Sequence, residues 1–416
     1  MATTIKKSLI YQLLFALCVA VPYLNNYEFT FAVWSFVALI TLQKKYTLSI
    51  VSQFLCFSTI LLIAIVVSFF KEYRAFFLIR DITYMSKPIF GILIGYQICS
   101  KNFQKVFQTI IYTGLFIAIA HLIILFIAVV FYKAVTVNDI RFYGGYFSDF
   151  EVYSLIICLF YKKFEIKIPF KNILLIGIII GFSSFMYLAR TNFIQFIILF
   201  LAMKGFFVLD KKSITIIASL ILAGILAYSA ILYINPRRNG HGLEALLYKI
   251  KIAPTEPFKT KINRDDWKDF NDNYRSYENI MTVRQVTKEG TGSVTFGQGI
   301  GAQIDLKQKV WLGDMELRYI SILHNGFMTI FLKSGLLGLF IYLTSIFLLF
   351  RKSYSEVPIV RTIDLLLLGT GIFLFFSNWV FMGVYNLLDS KSIFIGTIIC
   401  YKAMAIKSYS NQIKND

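Results

Sequence analysis

The sequence predicts an all-α, polytopic integral membrane protein with about twelve transmembrane helices and one large, mostly helical outer loop. Three observations predict it. Apolar residues make up 57% of the 416 positions and charged residues only 16%. Runs of roughly 18–25 mostly apolar residues, each long enough for a hydrocarbon layer of ~30 Å, recur along most of the chain. Only the stretch 235–322 has the composition of a water-facing segment. In lipid a backbone polar group finds no water, so each apolar run is expected to be a helix.

The runs fall at 8–24, 28–42, 47–70, 76–99, 106–132, 146–161, 172–188, 190–209, 213–234, 323–350, 363–384 and 389–407. The first follows Lys6-Lys7 but lacks a small-residue cleavage site, so it reads as an uncleaved helix. Run 76–99 is interrupted by Arg80-Asp81 and Lys87-Pro88, and a proline inside a helix removes one of its hydrogen bonds. A break or a later start is expected there. Run 146–161 is short and is entered by Asp149 and Glu151. The chain therefore divides into helices one to nine (1–234), the outer loop (235–322), and the last three helices with a tail (323–416).

A net charge of +19 invites a nucleic-acid reading, but the distribution opposes it. Lys6-Lys7, Lys44-Lys45, Lys101 with Lys105, Lys162-Lys163, Lys211-Lys212, Arg351-Lys352 and Lys402 mark every second connection between runs. That is the positive-inside pattern, with both termini in the cytoplasm and contact with anionic lipid. No nucleic-acid partner is expected. The five cysteines (Cys18, Cys56, Cys99, Cys158, Cys400) all lie in apolar runs, so no disulfide framework is indicated.

Within the loop, Pro236, Pro254 and Pro257 punctuate the entry, and Asp265 to Asn273 is a polar approach to a helix. Its acidic residues Asp265, Asp266, Asp269 and Asp272 suit a solvated helix start better than a cation site. From Tyr274 to Glu289, Tyr277, Ile280, Met281, Val283 and Val286 recur at helical spacing, and Gly290 and Gly292 are expected to stop that helix. A glycine-rich turn, Phe296-Gly-Gln-Gly-Ile-Gly-Ala302, follows, and then a second polar stretch. No strand–turn–helix unit surrounds those glycines, so they read as a tight turn near the membrane surface and not as a nucleotide fingerprint.

Chemistry is sought where titratable groups meet this loop. His324 lies at the junction of loop and helix; His121 sits inside a run and His241 early in the loop. An imidazole near neutral pH suits a general base, although a histidine at a helix start that bonds a carbonyl fits the same pattern. Arg190 lies between two runs at the outer face, where a guanidinium can bond phosphate oxygens bidentately or anchor the helix. Arg275 and Glu278, three apart, share a helix face, as an ion pair or as an arginine aimed into a site by its carboxylate. Lys87, Arg80 and Lys333 are charged residues at membrane depth that either line a cavity or find partners.

Taken together and in this order, these features resemble the O-antigen polymerase and O-antigen ligase superfamily of polytopic membrane glycosyltransferases. The likeness rests on His324-Asn325-Gly326 followed by Lys333-Ser-Gly335-Leu-Leu-Gly338, on Ala189-Arg190-Thr191, and on Arg275 ahead of the glycine turn. It implies a donor glycan on an undecaprenyl diphosphate carrier at the outer face of a bacterial inner membrane. By that resemblance, His324 orients or deprotonates the acceptor hydroxyl, and Arg190 and Arg275 hold the leaving diphosphate. Glu278, Asn325 and Lys87 support them. His324 is expected near both arginines, under the loop. Neither metal nor cofactor is expected. A chain-length regulator and a flippase of the same pathway are the implied partners. Polymerase is the preferred reading, ligase the alternative, and a lipid-linked oligosaccharide flippase the remoter one.

Overall fold

The computed structural model describes residues 2–208, 211–238, 243–256, 259–263, 265–312, 315–353, 357–388 and 390–413. His241 and Pro257 lie outside them. Each apolar run contains a helix among the described residues. The bundle is built from α1 (Ala2–Ala20), α2 (Tyr27–Ile40), α3 (Leu48–Ser68), α4 (Ala75–Lys101) and α5 (Val106–Tyr132). A short α6 (Val137–Gly144) leads to α7 (Asp149–Leu159), α8 (Phe170–Met186), α9 (Arg190–Lys204) and α10 (Lys211–Ile234). After the loop come α15 (Gly326–Leu349), α16 (Pro358–Phe381) and α17 (Lys391–Ile413). Six segments among the described residues are long and apolar enough to cross a membrane: Lys7–Leu24, Leu48–Ser68, Phe103–Tyr132, Lys211–Ile234, Gly326–Leu349 and Pro358–Phe381.

Small residues set the tightest packing. A Cβ on Gly95 of α4 would stand 2.0 Å from the Ile393 carbonyl, and one on Gly396 of α17 would stand 2.1 Å from the Ile92 carbonyl. Bare backbones therefore touch along this seam, as small residues permit where lipid supplies no hydrophobic drive. α4 runs through Pro88 as a single helix, contrary to the expected break. α10 stands apart from the bundle. Its apolar faces stay uncovered, and Tyr228 on it donates to the Lys251 carbonyl at 2.8 Å.

The loop holds α11 (Leu243–Ile252), α12 (Trp267–Asp272), α13 (Tyr274–Lys288) and α14 (Thr291–Phe296). Gly290, at φ 101°, follows α13, but Gly292 lies inside α14 and stops nothing. The second polar stretch is an antiparallel hairpin, β1 (Ile304–Leu312) with β2 (Met315–Ile320), where only helix or coil is expected from the sequence. Ile304, Leu306, Val310 and Ile320 bury one face of it against Tyr277, Met281 and Val286 of α13 and Phe331 and Leu332 of α15. The cap thus shares its core with a bundle helix.

The glycine turn locks the cap down. α15 is kinked at Gly335, and the Gln298 and Gly299 N–H groups donate to the Leu332 and Lys333 carbonyls just before the kink, at 2.8 and 3.0 Å. Ile300 N–H donates to the Ala64 carbonyl at 3.0 Å, and Gly301 N–H to Asp81 Oδ2 at 2.7 Å. Lys333, buried, joins the same carboxylate at 2.5 Å, which Arg80 flanks at 3.2 Å. The turn therefore reaches into three helices and does not merely lie on the surface.

Candidate functional site

α13 is held in rotation by its apolar stripe and by the Tyr277 hydroxyl, which donates to the Leu306 carbonyl at 2.5 Å. This turns Glu278 inward to the start of α15. Its Oε1 is 3.0 Å from His324 Nδ1, and its Oε2 accepts the His324 backbone N–H at 3.1 Å. A carboxylate at Nδ1 places the proton there and leaves Nε2 as the free base. The Glu278 side chain is fully buried and the imidazole is half-exposed, with the Tyr274 ring edge-on at 5.7 Å. Asn325 caps α15: its Oδ1 accepts the N–H groups of Phe327 at 2.9 Å and Met328 at 3.2 Å. The cap and Glu278 together fix the backbone that carries the histidine.

Because Glu278 serves His324, the pair expected within the helix does not form. Arg275 turns to Glu256 at 3.4 Å instead. Glu256 sits just beyond α11, and it also attracts Arg190, whose Nη1 donates to the Lys249 carbonyl at 2.9 Å. Arg141 from α6 completes the group, with its guanidinium 5.3 Å over the Tyr146 ring and within electrostatic reach of Arg275, Arg190 and Lys249.

Arg141, Arg190, Lys249 and Arg275, from four separate elements, thus lie within electrostatic reach of one another, and Glu256 is near the last three. Against these four cations stand Glu256 and, beside Lys249, Asp272, which is already paired with Arg238, so positive charge is in excess. The strain of this arrangement is visible in two groups. Burial, opposed by Tyr146, and then Arg275 hold the Arg141 guanidinium below its ordinary value. Burial and then Arg141 and Arg190 push the Lys249 ammonium down. Arg141 Nε is buried without a hydrogen-bond partner among the described residues. Concentrated, partly desolvated positive charge with an orphaned donor suits a multivalent anion, and guanidinium forks suit phosphate oxygens.

The structure therefore brings Arg190 and Arg275 together, and places His324 on Glu278, one turn along α13 from Arg275. Lys87 goes elsewhere. Its ammonium donates to the Asn386 carbonyl at 2.6 Å and to the Leu387 carbonyl, beside the Trp34 ring at 5.4 Å, so it pins the chain between α16 and α17. Lys333 and Arg80 are spent on Asp81. The acidic run is also engaged: Asp266 caps α12, Asp269 pairs with Lys259, and Asp272 with Arg238. His121 is an interior residue bonded to Ser183 at 2.8 Å. Three members of the cluster, Arg141, Lys249 and Glu256, escape sequence reasoning. Comparison with protein-family models, with curated proteins and with solved structures returns no match.

Proposed function

We propose that this protein is a membrane glycosyltransferase of O-antigen polymerase type. It joins undecaprenyl-diphosphate-linked oligosaccharide repeat units at the outer face of a bacterial inner membrane. The observation that carries the reading is the pairing of two features on α13: Arg275 in a four-cation cluster, and Glu278 holding His324 one turn away.

Each feature answers one need of the reaction. A glycosyl transfer from a polyprenyl diphosphate breaks the anomeric C–O bond, and the diphosphate leaves with the electron pair. Arg190, Arg275, Arg141 and Lys249 stabilise that developing charge. The acceptor hydroxyl attacks the anomeric carbon and gives up its proton to His324 Nε2, while Glu278 stabilises the imidazolium that forms. Charge at both ends is thus met by groups already in place. Lys87 has no part in the step.

In this reading all twelve apolar helices belong to the membrane domain, with both termini cytoplasmic and the cap on the periplasmic side. α7, at ~16 Å of helix, falls short of ~30 Å of hydrocarbon. It is enclosed by protein along nearly its whole length, so its ends need not reach water. The polymerase reading is tested by deleting the gene in its native strain and resolving lipopolysaccharide on a gel. Loss of the ladder with one repeat unit kept on the core supports it. Loss of all O-antigen while lipid-linked polymer accumulates indicates a ligase instead.

A further inference from the structure

Two of the four cations stand on one buried footing that the transfer step above does not use. α8 and α9 are separated by only Tyr187, Leu188 and Ala189, and Leu188 is held at φ 49°, a left-handed conformation that a branched side chain rarely adopts. Such a break persists only where its surroundings over-determine it. Here they do. The Tyr187 hydroxyl donates to Glu151 Oε1 at 3.0 Å, and both residues are buried. The Tyr187 ring lies flat on His121, with centroids 3.7 Å apart and planes 11° from parallel. His121 Nδ1 in turn bonds Ser183 Oγ of α8 at 2.8 Å. Asn192 Nδ2 ties the first turn of α9 back to the Ser184 carbonyl at 3.2 Å.

The break delivers Arg190 as the first residue of α9. The same histidine supports a second cation. A Cβ on Gly144 would stand 2.8 Å from His121 Nε2, so the end of α6, three residues after Arg141, rests directly on the ring. Three side chains from α5, α7 and the α8–α9 break thus underlie two guanidinium groups.

We infer that Tyr187, His121 and Glu151 are positioning residues for the cation cluster, setting Arg190 and Arg141 at the spacing its anion requires. The inference rests on reading that cluster as a diphosphate site. The full chain is purified in lipid nanodiscs, inorganic pyrophosphate binding is measured by calorimetry, and donor KM and kcat are measured separately. Tyr187→Phe, which keeps the ring, is expected to weaken pyrophosphate by about tenfold and to lower donor kcat/KM by a similar factor. Added to Arg190→Ala it should cost little more, because both remove the same contact. Glu151→Ala should match Tyr187→Phe, whereas Glu151→Gln, which keeps an oxygen for the tyrosine hydroxyl, should stay near wild type.

A Tyr187→Phe loss that adds in full to Arg190→Ala, or that lowers turnover while pyrophosphate affinity stays at the wild-type value, overturns the inference and leaves these residues as ordinary packing. So does Glu151→Gln failing as badly as Glu151→Ala, an arm that stands even where Tyr187→Phe does not fold. If Arg190→Ala and Arg275→Ala themselves bind pyrophosphate like wild type, the diphosphate reading falls, and the inference falls with it.

Discussion

Glu278 holds His324 twice, by the ring at 3.0 Å and by the backbone N–H at 3.1 Å. One carboxylate thereby fixes both the tautomer and the place of the imidazole. Glu278→Gln should keep the fold and lower polymerisation by roughly 10- to 100-fold, less than the ~10²–10⁴-fold that the positioned base itself contributes. His324→Ala should abolish it. Ladder length on a gel, normalised to protein level by blot, reads both.

That relationship also marks what the sequence could tell. The apolar runs were legible because a helix in lipid must satisfy its own backbone, so length and composition suffice. Glu278 was legible as a residue and illegible as a partner. Spacing offers Arg275, three residues away, while the true partner is 46 positions downstream and is reached only once the cap has folded. Arg141 is a lone arginine in a short connection, and only the alternation of spans, which puts that connection on the side of Arg190, could have flagged it. The hairpin was hidden by its own irregularity. Ile304 and Leu306 alternate as a strand should, but Lys307 turns to φ 61° and the register shifts before Val310.

The buried Lys333–Asp81 pair should show an ordered cost. Asp81 keeps Arg80 when Lys333 is lost, whereas Lys333 keeps, among the described residues, only the Ala302 carbonyl when Asp81 is lost. Breaking a buried pair typically costs about 3–5 kcal/mol. Lys333→Met should fall at the low end, Asp81→Asn at the high end, and the double variant should recover part of the loss. Thermal unfolding in detergent measures all three, and equal costs for the two singles would contradict the assignment of Arg80 as second partner.

Two glycines with positive φ should behave differently. A Cβ on Gly297 would meet the Lys333 carbonyl carbon at 2.5 Å, whereas one on Gly290 meets nothing within 4 Å. Gly290→Ala should cost only backbone strain of about 1–3 kcal/mol, because φ 101° with ψ −179° is a region essentially restricted to glycine. Gly297→Ala should separate the turn from α15 and sharply lower the yield of folded protein. Comparing the two by size-exclusion recovery isolates close approach from conformational strain.

Lys249 gives the cluster a pH dependence of known sign. Its ammonium is pushed below the ordinary value of 10.5, first by burial and then by Arg141 and Arg190. An anion favours the protonated form, so pyrophosphate affinity should fall as pH rises through the depressed value. Between that value and 10.5 the unfolded chain binds more protons, so the ligand-free fold should gain stability over the same window. Lys249→Met should flatten both limbs in calorimetry and thermal unfolding run across alkaline pH.

The proposed reaction is a glycosyl transfer from a lipid diphosphate with His324 as base. It is tested most directly by supplying the purified protein, in nanodiscs, with undecaprenyl-diphosphate-linked repeat units from the native strain and following glycan length. Wild type should lengthen the glycan and release undecaprenyl diphosphate, while His324→Ala should bind the donor and lengthen nothing. Chain growth by His324→Ala at the wild-type rate would contradict the account.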